Sequence, residues 1–292
     1  MLTMLAPGDG RFSEPCALLM GGFDGIHLGH ATLLERARSL GLPAVLTTIA
    51  GGKAGGELFT LAERRTVFAR AGAAGAFSFC FTDALRETEA EAFVSALLAR
   101  CTPRVILCGE DFRFGRDAKG DAALLASLAP CLVEALPLLT ADGRKISSTS
   151  LKAKLAAGDT EGLNALLVHP YFLEGRVEHG RHVGSSVLGF PTVNLAPPPE
   201  KALPKEGVYG GFAETDLGVF PCILNHGARP TFHVEEKKAE AFLIGFTGDL
   251  YGRTVRVYPQ EYFRPMRQFP SAQALRAQLL ADVQRAQKRS NV

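Results

Sequence analysis

Met20-Gly-Gly-Phe-Asp-Gly-Ile-His-Leu-Gly-His30 is the stretch on which the reading of this chain turns. It follows the apolar run Cys16-Ala-Leu-Leu-Met20 and opens a helical pattern over residues 30–40, which places it at a strand-to-helix turn. Main-chain N–H groups and the dipole at such a helix start favour an anion. Gly21, Gly22, Gly25 and Gly29 let phosphates approach the backbone closely. His27 and His30, three apart, share one side of the first helical turn. Two imidazoles there can donate hydrogen bonds to charge developing at a phosphorus under attack. The same spacing would also suit a surface pair or two zinc ligands.

Outward from this stretch, the first half alternates short apolar runs with longer helical patterns. Residues 44–49, 77–81 and 104–108 read as further strands, with 131–136 a possible fifth, and residues 61–71 as a helix. Residues 89–100 set Phe93, Ala96, Leu97 and Leu98 on one helical face. Strands alternating with helices argue for a parallel sheet covered on both faces. Near residue 168 the pattern changes. Residues 207–212, 220–224, 240–246 and 254–258 are short β-rich pieces set between Gly, Pro and Asn, the pattern of a small antiparallel barrel. Residues 271–288 then read as a closing amphipathic helix, capped by Ser271, with Leu275, Leu279 and Val283 on one face. The expected division is residues 1–167 and 168–292.

Composition limits the classes of function. A chain of 292 residues, 47% hydrophobic and 21% charged, suits two packed domains and excludes a disordered or coiled-coil protein. The formal net charge is +2, so a phosphate-bearing partner must be held by a local site and nucleic acid is not expected. No run of about 18 apolar residues occurs, so no membrane span is expected. Residues 1–15 lack a basic region followed by an apolar core, so no secretion signal is expected and the cytoplasm is the expected compartment. The six cysteines form no C-x-x-C pair, and five sit in apolar stretches, as buried thiols in a reducing compartment do.

Three further strings carry chemistry. Cys108-Gly-Glu-Asp-Phe-Arg-Phe-Gly115 follows the fourth strand, at the carboxyl end where open α/β sheets bind ligands. Asp111, Phe112 and Phe114 there could meet a planar ring system, or the aromatics could simply staple a turn. Lys145-Ile-Ser-Ser-Thr-Ser-Leu-Lys152 precedes a helix, where hydroxyls are ordinary caps or phosphate donors. Within Leu188-Gly-Phe-Pro-Thr-Val-Asn194, Thr192 and Asn194 point the same way on a strand. Their oxygens suit Mg²⁺ beside a phosphate, or a pair closing a turn. Glu240 is either a general base for a substrate hydroxyl or an edge-strand charge facing water.

The first string resembles the H-x-G-H signature of the nucleotidylyltransferase superfamily, and Ile146-Ser-Ser-Thr-Ser-Leu-Lys152 resembles its I-S-S-T-x-x-R phosphate loop. With Gly207-Val-Tyr209, Asn225-His-Gly-Ala-Arg-Pro-Thr-Phe232, Asp249-Leu-Tyr-Gly252 and Arg264, the chain resembles the prokaryotic bifunctional riboflavin kinase/FMN adenylyltransferases, or FAD synthetases. The resemblance implies an α/β nucleotidylyltransferase (Rossmann-like) domain, then an antiparallel β-barrel of riboflavin-kinase type with a C-terminal helix. It implies riboflavin, FMN and ATP as substrates, Mg²⁺ as cofactor, and FMN and FAD as products. His27 and His30 then match the pair at the α-phosphate of ATP, and Glu240 the base that activates the ribityl hydroxyl. Gly22, Phe23, Asp24, Gly25, Asp111, Ser147, Ser148, Thr149, Lys152, Gly207 and Tyr209 match nucleotide-binding positions. Phe112, Phe114 and Arg264 match flavin-binding positions, and Thr192 and Asn194 the metal ligands. Lys152 stands where the family has Arg, residues 49–56 lack its Pro and His, and Gly184-Ser-Ser-Val187 replaces a Gly-Arg pair. Two rivals are an enzyme keeping one activity, with the other domain a scaffold, and a flavin- or nucleotide-binding regulator without turnover.

Overall fold

The structure, a computed structural model, describes residues 3–5, 10–52, 55–177, 192–229 and 234–290. In its first half the apolar runs become one parallel sheet: β1 (Thr3–Leu5), β2 (Phe12–Leu19), β3 (Ala44–Ala50), β4 (Gly75–Cys80), β5 (Cys101–Gly109) and β6 (Leu132–Leu136). Their order is β1-β4-β3-β2-β5-β6. Helices α1 (Leu28–Ser39), α2 (Leu61–Arg70), α3 (Asp83–Arg86), α4 (Ala90–Leu98) and α5 (Ala122–Leu128) supply the crossovers. Residues 45, 46, 106 and 107 are almost wholly buried, as strands covered on both faces require. From β2 the chain steps one way to β3 and β4, then returns to lay β5 on the other side. The sheet thus reverses direction beside β2, and crevices at such reversals are where open α/β sheets hold ligands. The sequence reading missed β1 and the start of β2. Ser13, Glu14 and Pro15 are exposed there and the pairing with β5 slips, so no apolar run marks the strand.

A two-stranded ribbon follows, β7 (Thr140–Ala141) with β8 (Arg144–Lys145), then helices α6 (Ser148–Ala157) and α7 (Thr160–Asn164). The second half builds an antiparallel sheet from β9 (Leu173–Arg176), β10 (Thr192–Leu195), β11 (Gly207–Thr215), β12 (Gly218–Arg229), β13 (Val234–Leu243) and β14 (Thr254–Arg264). Its order is β10-β13-β12-β11-β14-β9. The two end strands approach one another, since a Cβ built on Gly175 of β9 would lie 3.2 Å from Leu195 Cδ2 of β10. The barrel is therefore nearly closed. Helix α8 (Ala272–Ser290) is capped by Ser271, whose Oγ accepts the Ala274 N–H at 3.1 Å. It buries Val283 and Ala286 against Val208, Ile223, Phe242 and Ile244.

The chain separates into two compact units, Met1–Lys152 with Leu166–His169, and Ala153–Ala165 with Pro170–Val292. Residues 153–165 thus cluster with the second unit, although they precede the boundary read from sequence at residue 167.

Candidate functional site

Residues 20–27 leave β2 at the sheet reversal and are bound to β5 at once, the Met20 N–H donating to Leu107 O at 2.8 Å. His27 caps α1: its Nδ1 accepts the His30 N–H at 3.2 Å. The neutral ring therefore carries its proton on Nε2, free to donate outward. His30 Nδ1 donates to Gly25 O at 2.9 Å, so its Nε2 faces the other way. The two rings stack with centroids 3.6 Å apart, and Phe23 lies 4.3 Å from His30. Burial, with the Lys145 cation nearby, pushes His27 down to about 4, so it is a neutral donor at physiological pH. Phe23 holds a left-handed backbone at φ +32°, a conformation that persists only where neighbours enforce it.

The neighbours form a buried polar frame. Thr47 Oγ1 accepts the Gly21 N–H and donates to Gly21 O. Thr48 Oγ1 donates to Phe23 O at 3.1 Å. Arg64, wholly buried, donates to Thr48 Oγ1, Ile49 O, Phe59 O and Asp24 Oδ1, and pairs with Glu57 Oε2 at 3.1 Å. Asp24 is itself wholly buried, and its carboxylate braces the loop from behind through Arg64. Gly25 is fixed by packing: a Cβ there would lie 2.8 Å from the Phe59 ring.

Two cavities open on this loop. The smaller, about 240 Å³, is lined by Gly22, Phe23, His27, His30, Asp111, Phe112, Ser147 and Ser148 among the residues read from sequence. The larger, about 570 Å³, includes Phe112 and Phe114 with Phe81, Leu85 and Phe93. Gly21, Gly22, Asp111 and Phe112 line both cavities, so these residues form a shared wall. Asp111 there is ion-paired with Lys145. Four expected nucleotide ligands of the first unit, Asp24 among them, lie outside both of these cavities. Gly25 and Thr149 line neither cavity, and Lys152 Nζ donates to Gly56 O at 3.0 Å. Ser147 also caps α6, its Oγ accepting the Ser150 N–H at 3.2 Å. Reading by motif missed Lys145, at the edge of a quoted string, and Thr47, Glu57 and Arg64, which had no local signal.

In the second unit, strand register does the assembling. Asn194 of β10 lies opposite Glu240 of β13, and Glu240 lies opposite Asn225 of β12. Thr192 is two residues before Asn194 and shares its face. All four residues are half-buried, so three adjacent strands bring a hydroxyl, two amides and a carboxylate together. Residues 184–191, including the Gly184-Ser-Ser-Val187 departure and the first half of the Leu188 string, lie outside the described residues. The other expected ligands of this unit make contacts within the barrel and its helix. Tyr209 is wholly buried and its hydroxyl donates to Lys205 O at 2.6 Å. A Cβ on Gly207 would meet Arg264 O at 2.7 Å, so that glycine answers to packing. Arg264 donates to Asp282 Oδ2 of α8 at 2.8 Å and so fastens the helix. Among the described residues, no group of three His, Cys, Asp or Glu side chains is placed to hold a metal.

Comparison with known proteins agrees with this two-part geometry. The family model described as FAD synthetase matches residues 10–150, and that described as riboflavin kinase matches residues 167–290. The bifunctional riboflavin kinase/FMN adenylyltransferase of Escherichia coli K12 is 32% identical over 289 residues, covering 92% of this chain and 91% of that protein. The Pseudomonas fluorescens protein of the same name is 33% identical over 286 residues, covering 92% and 91%. A crystal structure described as a macrolide-efflux protein from Streptococcus pneumoniae superposes with a TM-score of 0.83 at 26% identity, covering 98% of this chain and 99% of that one. Among the described residues of this chain, no helix is long and apolar enough to cross a membrane. With both family models matched in order and relatives aligned along nearly its whole length, the chain belongs to the bifunctional riboflavin kinase/FMN adenylyltransferases.

Proposed function

We propose that this chain phosphorylates riboflavin with ATP to give FMN, in the part spanning residues 168–292. Residues 1–167 then join FMN to the adenylyl group of a second ATP, giving FAD and pyrophosphate. The observation that carries the second step is the pair of cavities with a common wall. A nucleotide in the smaller and a flavin in the larger would bring an FMN phosphate oxygen to the α-phosphorus at Gly21, Gly22 and Asp111. That oxygen bonds to the α-phosphorus as the bond to pyrophosphate breaks, and the ionised nucleophile has no proton to lose. His27 Nε2–H donates to the crowded phosphate oxygens, and Lys145 offsets the charge of Asp111. Positioning and charge neutralisation suffice for such a transfer.

In the first step the Glu240 carboxylate takes the proton of the riboflavin 5′-hydroxyl as its oxygen attacks the γ-phosphorus and ADP leaves. The Thr192 hydroxyl and Asn194 amide, oxygen donors on one strand face beside Glu240, suit a hard cation. Mg²⁺ held there would neutralise phosphate charge. Asn225, on the far side of Glu240, is the group we add to this set. Buried thiols at Cys16, Cys101, Cys108 and Cys222 support a reducing, cytoplasmic setting.

The test is chromatography of flavins after incubation with riboflavin, ATP and MgCl₂. FMN followed by FAD is expected, and absence of either product overturns the corresponding step. Lys152 turned to Gly56, and the glycine-rich segment beside it, favour as second reading a chain retaining only the kinase. FMN supplied directly decides between them, since that reading yields no FAD.

A further inference from the structure

We propose that Arg64 is a positioning residue for adenylyl transfer: it sets the orientation of His30, and of the His27 ring stacked on it, without touching substrate. The inference rests on the reading that adenylyl transfer takes place at the histidine cavity. Arg64 has no exposed surface, and its five N–H groups face five acceptors. No donor remains for a ligand. Its action must therefore pass through what it holds, and each acceptor leads to a different wall of the loop.

Nη2 holds Asp24 Oδ1 at 2.9 Å, and Asp24 immediately precedes Gly25, whose carbonyl accepts from His30 Nδ1. Nη1 holds Thr48 Oγ1 at 2.7 Å, and that hydroxyl in turn donates a hydrogen bond to Phe23 O at 3.1 Å. Phe23 is the residue held at φ +32° whose ring lies against His30. Nε holds Phe59 O at 2.9 Å, fixing the residue whose ring closes on Gly25. Glu57 bonds Arg64 through Oε2 and the Gly51 N–H through Oε1, which ties in the loop after β3. One planar fork thus fixes the carbonyl that selects the His30 tautomer and the aromatic ring against which His30 leans. Supporting groups of this kind commonly alter rate by one or two powers of ten when lost. A buried ion cluster that only stabilised the fold would not act on the tautomer.

The test compares Arg64→Lys with the unaltered full-length chain. Lysine keeps the charge between Asp24 and Glu57 but loses the five-donor fork. We expect kcat for FAD formation from FMN to fall about tenfold to a hundredfold, with KM for ATP and FMN within about twofold. FMN formation from riboflavin should be unchanged. Imidazole ¹⁵N NMR should show His30 as the Nδ1–H tautomer in the unaltered chain and as a mixture in the variant, a His30→Gln sample assigning the signal. Should Arg64→Lys not fold, Asp24→Asn carries the same test with the link weakened: a drop in kcat of about threefold to tenfold at constant KM. A folded variant with unchanged kcat and unchanged tautomer overturns the proposal. So does a variant in which kcat, both KM values and kinase activity decline together. If the unaltered chain makes no FAD but the tautomer still shifts in Arg64→Lys, the reading of the activity fails and the control of His30 by Arg64 stands.

Discussion

His27 binds the loop together and offers one proton outward, so its removal should separate folding from chemistry. His27→Ala is expected to cut FAD formation from FMN by about 100- to 1,000-fold, the usual cost of losing a preorganised donor to developing charge. FMN formation should persist, and a flavin chromatogram reads both. The same ring gives a stability prediction. Its folded value near 4 lies below the ordinary 6.5, so between these values the unfolded chain binds more protons than the folded one. Stability from this group is complete above pH 6.5 and is lost as pH falls toward and through 4, by roughly 3 kcal/mol in all. Thermal unfolding of His27→Gln should be less sensitive to pH across that window. The histidine pair was legible in sequence because three-residue spacing at a helix start is a local pattern. The Arg64 cluster was not. It draws residue 48 of β3, residue 64 of α2 and residues 24 and 57 of two loops together, and only burial reveals that Asp24 faces a guanidinium.

At the level of elements, pairing register in the barrel decides which side chains meet. Glu240→Gln preserves the β13 pairing while removing the proton acceptor, and should lower FMN formation at least 100-fold while FAD still forms from supplied FMN. A kinase assay with riboflavin checks the first half and the FMN assay the second. Thr192 and Asn194 could be placed on one strand face from sequence because alternation is a two-residue rule. Their meeting with Glu240 could not, since it depends on which strands neighbour β13. Arg264, matched by the resemblance to a flavin-binding position, is paired with the buried Asp282 of α8, a partner that no local pattern in the sequence announces. Arg264→Ala would leave that carboxylate without its partner and should cost on the order of 2 kcal/mol in denaturant unfolding, through undocking of α8.

For the whole molecule, two sites in two units imply two separable deficits. Riboflavin and ATP given to His27→Ala should accumulate FMN, and Glu240→Gln should produce neither flavin from riboflavin. Mixing the two variants should restore FAD, because FMN released by one is the substrate of the other. A mixture that still makes none would count against independent sites. The change from alternating strands and helices to strands alone was plain in the sequence, as was the parallel sheet. The place where one unit gives way to the other was less so, because α7 is bonded to the barrel: the Thr160 hydroxyl donates to Gln260 O at 2.9 Å, and Asn164 to Pro259 O at 3.2 Å. A helix that ends one pattern in sequence can belong to the next in space.

The wall common to the two cavities has a consequence for how the catalytic cycle closes. On the proposed reading, a finished dinucleotide would lie across Gly21, Gly22, Asp111 and Phe112 with its adenine end in one chamber and its flavin end in the other. Neither incoming reactant could then enter until it had left. End-product feedback would follow from geometry alone, with accumulated FAD competing against ATP and FMN alike.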